Sequence, residues 1–147
     1  MQLTLNKRTS KTAAIAFDLL NPIPFGFFVA ALIFDVVYDR SADVLWFKSA
    51  AWLIAIGLCF AVVPRFINLA RVWWPNDQRR SAPEIVAFFL YLLGVAAAIV
   101  NAFVHSRDAY GVMPEGVWLS VVTVTLLVVS TILMTLQHSA NHARSQA

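Results

Sequence analysis

The sequence predicts an all-α fold, an integral membrane four-helix bundle with both termini cytoplasmic, and three observations carry that prediction. Of 147 residues, 60% are hydrophobic and only 13% charged, more apolar surface than a water-soluble domain of this size can hide. The apolar residues collect into four runs of about 17–20 residues, each long enough to cross a hydrocarbon core. Lysine and arginine are distributed unevenly between the two ends of those runs, which sets the orientation.

Residues 1–20 form a basic tail carrying Lys7, Arg8 and Lys11. Asp18 interrupts the apolar stretch that follows, and Pro22 and Pro24 come next, so a cleaved signal peptide is not expected. Thr12 to Leu20 reads as an interfacial helix or as an extension of the first span through a proline kink. The spanning domain covers residues 21–138, and residues 139–147 form a polar tail.

The first span begins at Asn21-Pro22, an N-cap followed by the residue favoured at the first helical position, and runs to Tyr38. The second runs from Val44 to Val63. Lys48 lies close enough to its end to reach the headgroups, and Pro64 marks a kink or an exit. Beyond it Phe66, Leu69, Ala70 and Trp73 share one helical face, as in an amphipathic extension, and Trp73 and Trp74 suit an interfacial belt. The third span, Ile85 to Val104, follows a polar connector, Pro75 to Pro83. The fourth, Val117 to Leu136, has no charged residue. None of the four alternates as a barrel strand would.

Lys7, Arg8, Lys11, Arg71, Arg79, Arg80 and Arg144 fall on one side, against Arg40, Lys48 and Arg107 on the other. The first side is therefore the cytoplasmic one. Small residues recur four apart at Gly26 and Ala30, at Ala51, Ala55 and Cys59, and at Gly94 and Ala98, a spacing that lets membrane helices approach closely. It is compatible with a bundle and with a homo-oligomer. The net charge of +3 and pI near 9.4 are explained by anionic headgroups, because the basic residues sit in short clusters beside apolar runs; a nucleic-acid partner is not expected.

Three stretches, Phe25–Tyr38, Ala50–Leu58 and Asn101–Tyr110, together resemble the bacterial predicted-membrane-protein family catalogued as domain of unknown function 2231. The most specific part is Asn-Ala-Phe-Val-His-Ser-Arg-Asp at 101–108. The resemblance extends over roughly Asn21 to Leu136 and implies a multi-pass protein of a Gram-negative cytoplasmic (inner) membrane, with no established activity. Some relatives lie beside or are fused to redox proteins, which implies a link to electron transfer. Many relatives start the first span with His-Pro. This chain has Asn21-Pro22, so a ligand role for that histidine does not carry over.

A membrane haem needs two axial ligands at one depth. His105 ends the third span and His138 the fourth, a bilayer core of ~30 Å apart. His138 and His142 share a helix face but make an incomplete metal site. No cofactor or metal is therefore expected. The chain lacks a Gly-x-Ser-x-Gly elbow, a phosphate loop and a His-Glu-x-x-His motif, which argues against a self-sufficient enzyme. Thr123, Thr125, Ser130, Thr131 and Thr135 read as packing and back-bonding hydroxyls.

The candidate site is the polar cap at the outer end, with Asp35, Asp39, Asn101, His105, Arg107 and Asp108 as its members. Asp35 and Asp39 are four apart on the first helix, and Asn101 and His105 four apart on the third. Counting along the helices puts Asp35 and Asn101 at similar depth, so an Asp–His or Asp–Asn bond is expected if those helices face each other. An acid inside a spanning segment is costly unless paired. The functional expectation is a non-enzymatic subunit or anchor for a membrane or periplasmic partner. The alternatives are a small oligomeric transporter or proton-coupled channel, and a quinone- or haem-binding protein built on Trp52, Phe88, Phe89 and Tyr91.

Overall fold

The computed structural model describes residues 22–73, 82–107 and 109–146. The tail at 1–20, the connector at 75–81 and Asp108 lie outside the described residues. Among the described residues there are four α-helices: α1 (Pro22–Ser41), α2 (Val44–Trp73), α3 (Ala82–His105) and α4 (Glu115–Gln146), with a short 3-10 turn at Ala109–Gly111 before α4. Each has an apolar stretch long enough to cross a membrane: Pro22–Ser41, Val44–Val62, Ala82–His105 and Glu115–Gln137.

Local chemistry sets the ends. Pro22 and Pro24 occupy the first turn of α1, where missing N–H groups cost nothing. Asp43 caps α2, its carboxylate accepting from the Leu45 amide at 2.9 Å. Between them Ala42 takes a left-handed conformation (φ 54°), the chain reversal usually given to glycine, and donates its N–H to the Tyr38 carbonyl.

Two helices run further than the apolar pattern indicates. α2 continues past Pro64 to Trp73, so Pro64 is not an exit and the extension expected beyond it is helical. The facing of side chains along that extension lies outside the described residues. α4 continues through the polar segment to Gln146, beyond the expected end of the span.

Packing runs around a ring, α1 on α2, α2 on α3, α3 on α4 and α4 on α1, with α1–α2 and α3–α4 the most extensive pairs. That order makes α1 and α3 the diagonal of the bundle. Two apolar clusters fill it. One joins Phe28, Ala61, Tyr91, Val95, Ala98 and Leu127. The other joins Tyr38, Phe47, Val104, Ala109 and Val112 at the end where the α1–α2 and α3–α4 connections lie.

Of the small residues singled out by spacing, Gly94 and Ala98 are in the core, where a Cβ on Gly94 would meet Leu127 at 3.2 Å. The other pairs are not. Nothing lies within 4 Å of a Cβ at Gly26, and Ala55 and Cys59 are exposed. On α2 the packing face is Ala50, Ile54, Gly57 and Ala61, one step round from the repeat of Ala51, Ala55 and Cys59.

A candidate polar site on the bundle axis

Between the two apolar clusters lies a layer of buried polar side chains contributed by three helices. Asp35 of α1 is 0% exposed, Asn101 and His105 of α3 are 1% and 5%, and Ser120 and Thr123 of α4 are 3% and 2%. On α4 the layer follows from helical spacing, since positions 120, 123, 127 and 130 all point inward.

The bonds form a circuit. Asn101 Nδ2 donates to Ser120 Oγ at 2.7 Å, and Ser120 Oγ donates to Asp35 Oδ2 at 2.5 Å. Asp35 Oδ1 meets His105 Nε2 at 2.8 Å, and His105 Nδ1 lies 3.0 Å from the Asn101 carbonyl oxygen. The circuit thus starts and ends on Asn101. Because α1 and α3 are diagonal, the Asp35–His105 bond crosses the bundle centre rather than an interface between adjacent helices.

The partners fix much of the protonation. A backbone carbonyl only accepts, so Nδ1 carries a hydrogen. Two arrangements then satisfy the 2.8 Å contact: imidazolium with carboxylate, or neutral imidazole with carboxylic acid. Both hold one proton between Nε2 and Oδ1 and leave the pair with no net charge.

The imidazole is enclosed. Phe47 of α2 stacks on it with centroids 5.5 Å apart and planes within 8°. Gly116 covers another side: a Cβ there would come within 3.1 Å of His105 Cε1 and 2.9 Å of Val112 Cγ1. Val112 is fully buried, and Tyr38 donates to the Ala109 carbonyl at 2.9 Å, tying the turn before α4 to α1.

On the other side of the layer is a narrow gap lined by Phe28, Ala31, Ile54, Ala98, Asn101, Ser120 and Thr123, too tight for a water molecule. Asn101 Oδ1 and Thr123 Oγ1 are buried without a hydrogen-bond partner. Beyond them lies the Leu127 cluster, hydrophobic side chains of all four helices with Tyr91 among them.

Of the six residues expected at the site, three meet: Asp35, Asn101 and His105. Asp39 and Arg107 are exposed and outside the circuit, because each is placed where its helix face or turn opens to the surroundings. Asp108 lies outside the described residues. Ser120 is the member the sequence reading missed. Its signal was its register with Thr123 and Ser130, hidden among hydroxyls that do bond locally: Thr131 and Thr135 donate to the carbonyls of Leu127 and Thr131. Ser130 instead crosses to the Ala87 carbonyl.

The arrangement is not a nucleophile triad. There, imidazole takes the serine proton; here Ser120 donates to the carboxylate and the imidazole is on its far side. Both His105 nitrogens are engaged, so neither offers a metal a free lone pair. Among the described residues no group of three or more His, Cys, Asp or Glu is placed to hold a metal ion. The aromatic set does not converge either, as Tyr91 is buried while Trp52 and Phe89 are exposed. Comparison of the chain with protein-family models, curated proteins and solved structures finds no match.

Proposed function

We propose that the chain is a non-enzymatic, non-conducting multi-pass protein of a bacterial cytoplasmic membrane, serving as a subunit or anchor for a partner at the outer face, with both termini cytoplasmic. One observation carries this reading: the polar groups inside the bundle are bonded mainly to one another and sit between two apolar clusters. A reaction centre needs a group aimed at a substrate, and a conducting path needs polar lining through its length. The circuit supplies neither. It acts as a clasp that fixes diagonal helices in one register, the best-attested use of a buried polar group.

Orientation rests on the lysine and arginine asymmetry, and the outer partner on the small area left by short connections at the clasp end. The resemblance noted above suggests a redox partner but supplies no activity, and the proposal does not depend on it. The test is affinity purification of the chain in mild detergent with identification of what accompanies it, together with proton and ion flux in reconstituted vesicles. A stoichiometric protein partner and tight vesicles are expected. Flux above that of empty vesicles would overturn the reading.

A second reading, a small oligomeric proton-coupled transporter, is favoured by one feature, the carboxylate of Asp35 within a spanning segment. The Leu127 cluster opposes it, because beyond Thr123 it packs hydrophobic side chains from all four helices, and the buried hydroxyl of Ser130 further along is committed to the Ala87 carbonyl.

A further inference from the structure

We infer that Asp35 and His105 form a one-proton binding site, closed over by the Ala109–Gly111 turn and Val112, whose deprotonation breaks the contact across the bundle. It goes beyond the anchor reading, giving the clasp a ligand, the proton, and two states. His105 Nδ1 lies 3.0 Å from the Asn101 carbonyl oxygen. That oxygen accepts only, so His105 Nδ1–H is committed to it, and the proton between Nε2 and Asp35 Oδ1 is the one that can leave.

The balance is simple. The shared proton passes to water or hydroxide, and the pair goes from no net charge to a carboxylate beside a neutral imidazole, net −1. With Nδ1–H retained, the Nε2 lone pair then faces a carboxylate oxygen at a distance suited to a hydrogen bond, acceptor against acceptor. If the ring shifts its hydrogen to Nε2, the same conflict moves to Nδ1 and the Asn101 carbonyl. Either way one of the two bonds holding His105 is lost. Ser120 is already on Oδ2, and the bond from His105 is the one that Oδ1 makes. Proton loss is therefore coupled to movement of the ring or of α1 against α3.

Access follows from the surroundings. Away from the turn, the route is blocked by Phe28, Ala98 and Leu127. Toward it, among the described residues, Val112 and Gly116 lie against the imidazole, and the Tyr38–Ala109 bond ties the turn over them to α1. The site is single-ended, which suits a sensor or a store and not a conductor. Phe47, the element of α2 against the ring, is apolar. The other described charged groups at this end, Asp39, Arg40, Asp43, Lys48, Arg107 and Glu115, are exposed and outside the circuit, so among the described residues the proton is shared by Asp35 and His105.

The experiment is nitrogen-15 NMR of the full chain in detergent micelles, labelled at histidine, with His138→Gln and His142→Gln leaving His105 as the single signal. The pH is raised from about 5 to about 11, bracketing imidazole and amine titration. We expect a hydrogen on Nδ1 at the start, then a single change in the Nε2 signal, as its shared proton leaves the pair, that moves the amide signals of Ala109 and Val112 in parallel. Hydrogen exchange at the His105 ring should quicken about tenfold in Tyr38→Phe, the factor one net hydrogen bond supplies. Val112→Ala, which thins the cover without touching the bond, should quicken it too, and Thr135→Ala should not. A bare Nδ1, an Nε2 signal that does not change over the range, or exchange unchanged in both cover variants overturns the inference. The anchor reading is scored separately, on flux and co-purification.

Discussion

His105 Nε2 lies 2.8 Å from Asp35 Oδ1 although the two residues belong to helices at opposite corners of the bundle. A bond across the diagonal constrains all four helices at once, since α1 and α3 cannot shift or rotate without breaking it. Removing one partner leaves the other buried in an apolar interior, a change that costs about 3–5 kcal/mol in buried ion pairs. Asp35→Ala is expected to destabilise the fold by that order. Arg40→Ala, one turn beyond on an exposed face, should change stability by less than about 0.5 kcal/mol. Asp35→Asn separates charge from bonding: its amide can donate to a neutral Nε2 while its oxygen still accepts from Ser120, so its cost should stay below about 1.5 kcal/mol. Unfolding of the three variants in detergent, followed by circular dichroism, checks the order. Equal losses for Asp35→Ala and Arg40→Ala would remove the clasp.

Ser120 connects the two halves of the circuit, accepting from Asn101 and donating to Asp35. Ser120→Ala leaves a buried amide and a carboxylate oxygen without that partner, each orphan costing about 1–3 kcal/mol. Thr135→Ala removes a hydroxyl that bonds only to the carbonyl one turn back on an exposed face, and is expected to be nearly neutral. The two variants carry the same kind of change on one helix. Thermal unfolding that fails to separate them would show that the hydroxyl of Ser120 is dispensable.

How much of this was legible in the sequence depends on range. The spans are written in composition, because lipid-facing and core-facing residues are both apolar and the runs stand out against short polar connections. Asp35, Asn101 and His105 were legible because a carboxylate, an amide and an imidazole inside apolar runs each demand a partner, and helical rise puts them at one depth. What spacing could not supply was the packing order. Adjacent or diagonal placement of α1 and α3 leaves the same pattern along each chain segment, and only the ring of contacts decides between them. Ser120 was obscured for a related reason, since a hydroxyl in an apolar helix can always bond to its own preceding turn. Gly26 and Gly94 show the same limit. Both begin a small-residue pair, yet only Gly94 lies where another helix approaches.

Gly116 is expected to be the glycine most sensitive to substitution. A methyl group there would press on Val112 at 2.9 Å and on the His105 ring at 3.1 Å, and neither neighbour is the free end of a long chain. Overpacking of this kind costs about 1–3 kcal/mol. Gly26→Ala meets nothing within 4 Å inside α1 and exchanges a flexible residue for a good helix former, so it should stabilise by about 0.5–1 kcal/mol. Melting temperatures of the two variants should move in opposite directions. Tolerance of alanine at Gly116 would mean that the cover over His105 is looser than the packing indicates.

The structure also sharpens the test of orientation, because it places the α1–α2 and α3–α4 connections at one end of the bundle. Ser41 and Gly111, one in each connection, are both exposed. Whichever way the bundle sits, cysteines at these two positions must face the same compartment. Single cysteines are introduced at Ser41 and at Gly111 with Cys59, itself exposed, replaced by alanine. An impermeant thiol reagent is then added to intact spheroplasts. The lysine and arginine asymmetry predicts that both positions react from outside, since their end carries Arg40, Lys48 and Arg107 against a larger basic set on the other. Protection of both until the membrane is opened would invert the orientation while leaving the bundle intact. Reaction at one position and protection at the other would be incompatible with four spans packed in this order, because a single membrane cannot separate two loops that close the same end.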